Sequence, residues 1–103
     1  MVAGMYKANH NKSSDSLELR ADGIYLHRYT SANGKELKNT NKWEFEYQDG
    51  KPTITFVHFA FGLPGYGTKD FGFWIVEVKK STFSNTLHLC IDPDLGYSYI
   101  RQN

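Results

Sequence analysis

Residues 17–26 read Leu-Glu-Leu-Arg-Ala-Asp-Gly-Ile-Tyr-Leu, in which two alternating runs are separated by an Asp-Gly pair. Alternation of apolar and polar residues is typical of a strand with one buried face. Asp-Gly is a strong hairpin signal, because a tight turn needs residues that tolerate a positive φ. Asn33-Gly34 and Asp49-Gly50 repeat this signal further along the chain. Together the three turns predict an antiparallel β-meander.

The same pattern extends along the whole chain and predicts about eight strands. We expect them at residues 4–10, 16–21, 24–30, 36–47, 52–61, 71–80, 86–91 and 97–101. No segment carries the apolar period of a helix, and closure of such a meander into a barrel removes exposed strand edges. A chain of 103 residues has the length of one domain. We therefore predict a single all-β domain over residues 1–103, an antiparallel up-and-down meander that closes into a barrel.

Two-residue loops centred on the three turns predict the strand register. They pair Leu19 with Leu26 and Trp43 with Phe56. The predicted core face comprises Leu17, Leu19, Ile24, Leu26, Trp43, Phe45, Ile54 and Phe56. The predicted outer face comprises Glu18, Arg20, Tyr25, His27, Tyr29, Glu44 and Glu46. Four further aromatic residues are expected outside, under a loop or a second subunit: Phe59, Phe61, Phe71 and Phe73.

Several short motifs of the first half of the chain occur in a known family. They are Gly4-x-Tyr6, Leu17-x-Leu19-x-x-Asp22-Gly23-x-Tyr25, Trp43-x-Phe45 and Ile54-x-Phe56. This half resembles the opening meander of small bacterial lipocalin-like (calycin-type) domains, with Asn41-Lys42 where that family usually has a glycine before the tryptophan. The resemblance implies a lipocalin-like barrel. It implies little about function, since members of that family range from ligand carriers to domains of unknown role.

The predicted register also brings polar residues onto the core face at one end of the sheet. The candidate ligand-binding residues are Arg28, Asn39, Asn41 and His58, with Trp74 below them and Tyr66 in a covering loop at residues 62–70. An apolar pocket with a few placed polar groups is typical of a ligand site. We therefore predict a non-enzymatic barrel that binds a small apolar or amphipathic molecule. The alternative at this stage is that the barrel end opens to water and these residues only line its rim.

Two other functions stay open. The first is a protein-interaction or homodimerising module that uses the outer aromatic face. The second is a small acid–base enzyme that uses His58 and Arg28, although Glu77, the nearest carboxylate to orient the histidine, is expected on the other side of the sheet. We assign no catalytic residue and no cofactor. No histidine and cysteine spacing matches a zinc site, and the single Cys90 excludes an internal disulfide.

The charge balance and the hydropathy of the chain limit the classes of partner that the sequence predicts. The chain has 12 Lys and Arg residues against 11 Asp and Glu residues, a formal charge of +1. This balance argues against nucleic acid as a partner, and no apolar run is long enough to predict a membrane span. The first residues lack the features of a signal peptide. The chain is therefore expected to be either a cytoplasmic protein or the mature part of an exported bacterial protein that lacks its leader.

Overall fold

The computed structural model describes residues 2–10, 13–60, 72–81, 86–92 and 97–102. These residues form eight strands: β1 Gly4–His10, β2 Ser13–Leu19, β3 Ile24–Thr30, β4 Glu36–Gln48, β5 Lys51–Val57, β6 Phe73–Lys80, β7 Leu87–Asp92 and β8 Tyr97–Arg101. Each strand pairs antiparallel with the next, and β8 returns to pair with β1, so the sheet closes into a barrel. The predicted all-β up-and-down barrel is confirmed. None of the described segments is a helix long and apolar enough to cross a membrane.

Aromatic side chains fill the inside of the barrel. Those without exposed surface are Tyr6, Tyr25, Phe56, Phe59 and Tyr99. Trp74 packs against two of them, with ring centroids 4.9 Å from Phe56 and 4.8 Å from Phe59. A barrel of about eight strands has an interior just wide enough for side chains to fill. The core of this protein therefore combines an aromatic cluster with aliphatic side chains such as Leu17, Leu19 and Ile54.

The predicted register of the first two hairpins is wrong by one residue. Leu19 pairs with Tyr25, and Ile24 pairs with Lys42. The loops contain three residues each, because backbone hydrogen bonds close them one residue further out, from Arg20 N to Ile24 O at 2.9 Å and from Ser31 N to Lys35 O at 2.8 Å. The third loop residue is a glycine with a φ of 89° in both hairpins, as expected for a turn that ends in a left-handed residue.

This shift turns β3 inside out, since a slip of one residue moves every side chain to the other face. Residues predicted outside are buried: Tyr25, His27 and Tyr29. Leu26, predicted in the core, is exposed on the outer wall, and Ile24 turns to the same wall. The third hairpin has the predicted register, with Trp43 opposite Phe56 and Phe45 opposite Ile54. Leu17, Leu19, Ile54 and Phe56 are confirmed as core residues, Trp43 is half-buried, and Phe45 is exposed.

A second departure from the predicted pattern follows β5. His58 has a φ of 51°, which interrupts the alternation of the strand and turns Phe59 into the core. The prediction that Phe59 lies outside is therefore wrong. Phe73 is exposed as predicted, whereas Phe61 and Phe71 lie outside the described residues.

Candidate functional site

Asn39 bridges β4 and the segment that follows β5. Its Nδ2 donates to the backbone oxygen of His58 at 3.0 Å, and its Oδ1 accepts from the backbone nitrogen of Ala60 at 3.1 Å. The predicted neighbours Asn39 and His58 are thus brought together, through the backbone of His58. Because both ends of the Asn39 amide bond to the backbone, its role in this structure is to hold the chain after β5 against β4.

Asn41 and Trp74 lie half-buried on the inner side of the sheet. Asn41 is opposite Tyr25, and its Oδ1 accepts from the backbone nitrogen of Lys42 at 2.8 Å. Trp74 is opposite Phe56. The rings that fill the barrel therefore lie next to both residues. Tyr66 and the rest of the predicted covering loop lie outside the described residues.

Arg28 lies on the outer wall, paired with Ser16 of β2 and Lys38 of β4. The prediction that it shares the core face with Asn39 and Asn41 is wrong, and the cause is the three-residue loop before β3. His58 follows β5, and β4 separates that strand from β3. Arg28 and His58 therefore do not form the joint acid–base arrangement that the predicted register implied.

A buried polar cluster that the predicted register missed lies inside the barrel. The Tyr99 hydroxyl donates to Asp15 Oδ1 at 2.8 Å, and His27 Nε2 lies 2.8 Å from the same oxygen and 3.0 Å from the Tyr99 hydroxyl. All three side chains are buried, and the His27 ring stacks on Phe59 with centroids 4.5 Å apart. Three-residue loops in the first two hairpins would have predicted His27 in this position.

The same cluster orients the ring of His27. Its Nδ1 is buried and meets no hydrogen-bond partner among the described residues. Nε2 faces Asp15 Oδ1 at 2.8 Å, so it is the ring nitrogen placed to donate to that oxygen. The side chains of the cluster are almost wholly buried, and we interpret the cluster as an internal brace between β2, β3 and β8.

One hollow on the outer wall, lined by described residues, is the β1–β4 groove, with a volume of about 470 Å³. Its lining includes Met5, Ser16, Glu18, Leu26, Arg28, Lys38 and Thr40. The strand register arranges these residues, together with the neighbouring Lys7, in two rows. One row runs Met5, Glu18, Leu26, Thr40, and the other runs Lys7, Ser16, Arg28, Lys38. The groove thus has an apolar side and a cationic side.

The apolar side exposes Leu26 at 41% and Met5 at 38%. On the cationic side, Lys38 has a loose ion pair with Glu36 at 4.0 Å. Arg28 has no ion pair among the described residues. Its charge is therefore available to a ligand.

A smaller hollow of about 300 Å³ adjoins the groove. The described residues that line it are Lys7, Ser14, Asp15, Ser16 and Arg28, and we call it the Ser14–Ser16 hollow. Ser16 and Arg28 line both hollows. The two hollows therefore adjoin each other at Ser16 and Arg28.

Comparison with protein-family models, with curated proteins and with solved structures finds no match to this chain. The lipocalin-like assignment therefore stays a prediction, while the barrel itself follows directly from the strand pairing. Within the described segments, no group of three His, Cys, Asp or Glu side chains is arranged to hold a metal ion.

Proposed function

We propose that this protein is a non-enzymatic small β-barrel that binds a small amphipathic molecule with an anionic group, and that the ligand lies in the β1–β4 groove. The observation that carries the proposal is the exposure of two apolar side chains, Leu26 and Met5, in one depression with Arg28, a cation that has no ion pair among the described residues. Ligand sites commonly combine an apolar surface with a few charged groups, in volumes of roughly 300 to 1,000 Å³.

The packed interior supports an outer rather than an inner ligand. A molecule inside the barrel would have to displace rings such as Phe59 and Trp74, which contact each other and Phe56. Opening a cavity in such a core costs several kcal/mol, on the order of the cost of removing a buried aromatic side chain. The groove needs no such rearrangement.

The two rows of the groove orient the ligand. A hydrocarbon chain that covers Leu26 and Met5 gains about 25 cal/mol for each Å² of apolar surface removed from water. Glu18 lies between these two residues in the same row and repels an anionic group there. The guanidinium of Arg28 can bind a carboxylate through two parallel hydrogen bonds. The anionic group is therefore expected at Arg28.

Calorimetric titration of the full chain with octanoate and with octanol tests this proposal. Octanoate should bind more tightly than octanol. Arg28→Gln should weaken octanoate binding about tenfold or more, because a hydrogen bond to a charged group contributes roughly 1.5–3 kcal/mol. Leu26→Ser should weaken the binding of both octanoate and octanol. Lys80→Gln, at the exposed end of β6, is the matched control and should change neither.

Two results would contradict the proposal. If octanoate does not bind, the groove does not hold an amphipathic carboxylate. If octanoate binds but Arg28→Gln and Leu26→Ser leave its affinity unchanged, the ligand lies somewhere other than the β1–β4 groove.

We propose a protein-interaction or homodimerising surface as the second candidate function, because Phe73 and Ile75 are 67% and 53% exposed on the outer wall of β6. Val57 lies opposite Phe73 and extends this apolar surface. Sedimentation equilibrium should then detect a dimer that the double variant Phe73→Ser, Ile75→Ser dissociates. If the protein is a monomer at every concentration, the proposal of a homodimer is wrong.

A further inference from the structure

We infer that the Ser14–Ser16 hollow is a phosphate subsite, so that the ligand is a soluble amphipathic phosphomonoester. This inference rests on the proposed function, because the groove beside the hollow supplies the surface for the hydrocarbon chain. The inference adds the chemistry of the ligand's head: a dianion that uses Lys7 and Arg28 together.

The strand register puts the hollow's donors side by side. Lys7 is opposite Ser16, and Ser16 is opposite Arg28. Neighbouring strands lie about 4.8 Å apart, so the backbones of Lys7 and Arg28 are roughly 10 Å apart on either side of Ser16. Both side chains are long enough to meet above the Ser16 hydroxyl. Ser14 also faces the outer wall, two residues before Ser16 on β2, and adds a second hydroxyl.

The charges around the hollow favour an anion. Lys7 and Arg28 are exposed, and neither forms an ion pair among the described residues. Among the described residues that line the hollow, Asp15 is the only one with a carboxylate. Its Oδ1 accepts from Tyr99 and contacts His27 inside the barrel, where Asp15 is buried. Two cations and two hydroxyls therefore face the hollow without a competing exposed carboxylate among its lining residues.

The donor set fits a phosphomonoester better than a carboxylate. A phosphomonoester carries a charge of about −1.5 to −2 at pH 7 and three acceptor oxygens. It can accept from Arg28, Lys7 and a serine hydroxyl at once. A carboxylate has one charge and two oxygens, which Arg28 alone can satisfy. The hollow therefore distinguishes the two head groups, while the groove binds the hydrocarbon chain of either.

Titration of the full chain with octyl phosphate, octanoate and inorganic phosphate tests the subsite. Octyl phosphate should bind about tenfold more tightly than octanoate, as one additional charge-assisted contact implies. Lys7→Gln and Ser16→Ala should each reduce this ratio, with a larger loss for octyl phosphate than for octanoate. Lys80→Gln, on β6 and not among the lining residues of either hollow, should leave the ratio unchanged.

The outcomes separate the subsite from the proposed function. Equal affinity for octyl phosphate and octanoate overturns the phosphate subsite and retains the groove. Failure of every probe to bind overturns both. If inorganic phosphate binds as tightly as octyl phosphate, the phosphate subsite is retained, but the apolar side of the groove does not contribute to binding. Binding to phosphatidylcholine vesicles that contain phosphatidic acid, without binding to octyl phosphate, assigns the phosphate to a membrane and overturns the soluble ligand.

Discussion

At the scale of single residues, the Asp15 carboxylate is the acceptor on which the buried polar cluster depends. It meets the Tyr99 hydroxyl and His27 Nε2 in a region with almost no exposed surface. A buried polar group is costly when its partner is removed, because water cannot replace the lost hydrogen bond. The cluster therefore contributes stability chiefly as a complete set.

Asp15→Leu should destabilise the protein by about 2–5 kcal/mol, since it leaves two buried donors without an acceptor at roughly 1–3 kcal/mol each. Urea unfolding at constant pH measures this loss as a lower midpoint with an unchanged slope. Asp15→Asn is the matched control, because it retains one acceptor oxygen, and should cost less. A wild-type midpoint for Asp15→Leu would show that the cluster is not a brace.

A second residue-scale effect concerns Tyr6, whose hydroxyl donates to Val2 O at 2.7 Å. Burial raises the pKa of its phenol above the ordinary value of 10.0, and the charge of nearby Arg101 lowers it in part. The folded protein thus holds this proton more tightly than the unfolded chain. The resulting stability is present below pH 10.0 and is lost as the pH rises above it.

The free energy of unfolding should therefore fall above pH 10.0, and Tyr6→Phe should make this fall less steep. Denaturant unfolding at a series of alkaline pH values measures both slopes. Tyr6→Phe also loses the hydrogen bond to Val2, about 1 kcal/mol at every pH, so the slope and not the absolute value is the test. Identical slopes would contradict the contribution of Tyr6.

At the scale of elements, the Asn39 bridge holds the chain that leaves β5. One amide takes the place of two backbone contacts, to His58 and to Ala60. Asn39 lies in the part of β4 that precedes its pairing with β5, and that pairing begins at Trp43 and Phe56. The bridge therefore closes a gap in the wall and keeps Phe59 against the core.

Asn39→Ala should destabilise the protein by about 1–3 kcal/mol, because two backbone groups lose their partner. Hydrogen exchange of the Ala60 amide should accelerate more than that of the core strands. Asn39→Asp keeps the acceptor for Ala60 and loses the donor to His58, so it should protect the Ala60 amide better than alanine does. Unchanged exchange at Ala60 in Asn39→Ala would contradict the bridge.

At the scale of the whole molecule, contacts between the two ends of the chain help to close the barrel. Tyr6 pairs with Arg101 and Lys7 with Ile100, and Arg101 Nη2 donates to Ala3 O at 3.0 Å. The guanidinium packs against Gly4, where an added Cβ would lie 2.9 Å from Arg101 Nε. Gly4 also has a φ of 146°, which residues with a side chain rarely adopt.

Gly4→Ala should lower the melting temperature by about 5–10 °C, as a loss of 1–2 kcal/mol implies for a domain of this size. Gly34→Ala is the control, because Gly34 also has a positive φ and no atom within 4 Å of an added Cβ. The excess loss in Gly4→Ala measures the contact with Arg101. Equal losses would show that this contact does not contribute to closure.

Much of the fold could be predicted from local patterns. Turn residues and alternation predicted the strands, their order and the register at Asp49-Gly50. The first two hairpins could not be assigned in this way, because Asp-Gly and Asn-Gly suit both a two-residue and a three-residue loop. In both cases a glycine takes a positive φ, so the local signal is the same although the register differs by one residue.

The candidate site was predicted only in part for the same reason. Arg28 was expected to bind a ligand from the core face, whereas the proposed ligand site, the β1–β4 groove, is on the outer wall. Asn39 and Trp74 are on the inner side as predicted, but packing and backbone contacts occupy them. The hollows arise from residues of four strands, and no local pattern predicts a concave surface of that kind.

Local sequence is sufficient for the strands of this barrel, because turn chemistry and alternation act within a few residues. It is not sufficient for the direction in which β3 faces, since Tyr25, Leu26, His27, Arg28 and Tyr29 put bulky side chains on both faces of that strand. Tertiary packing makes the choice. Tyr25 and His27 face inward because Phe56, Phe59 and the Asp15–Tyr99 pair meet them there, and this choice turns Leu26 and Arg28 outward into the groove.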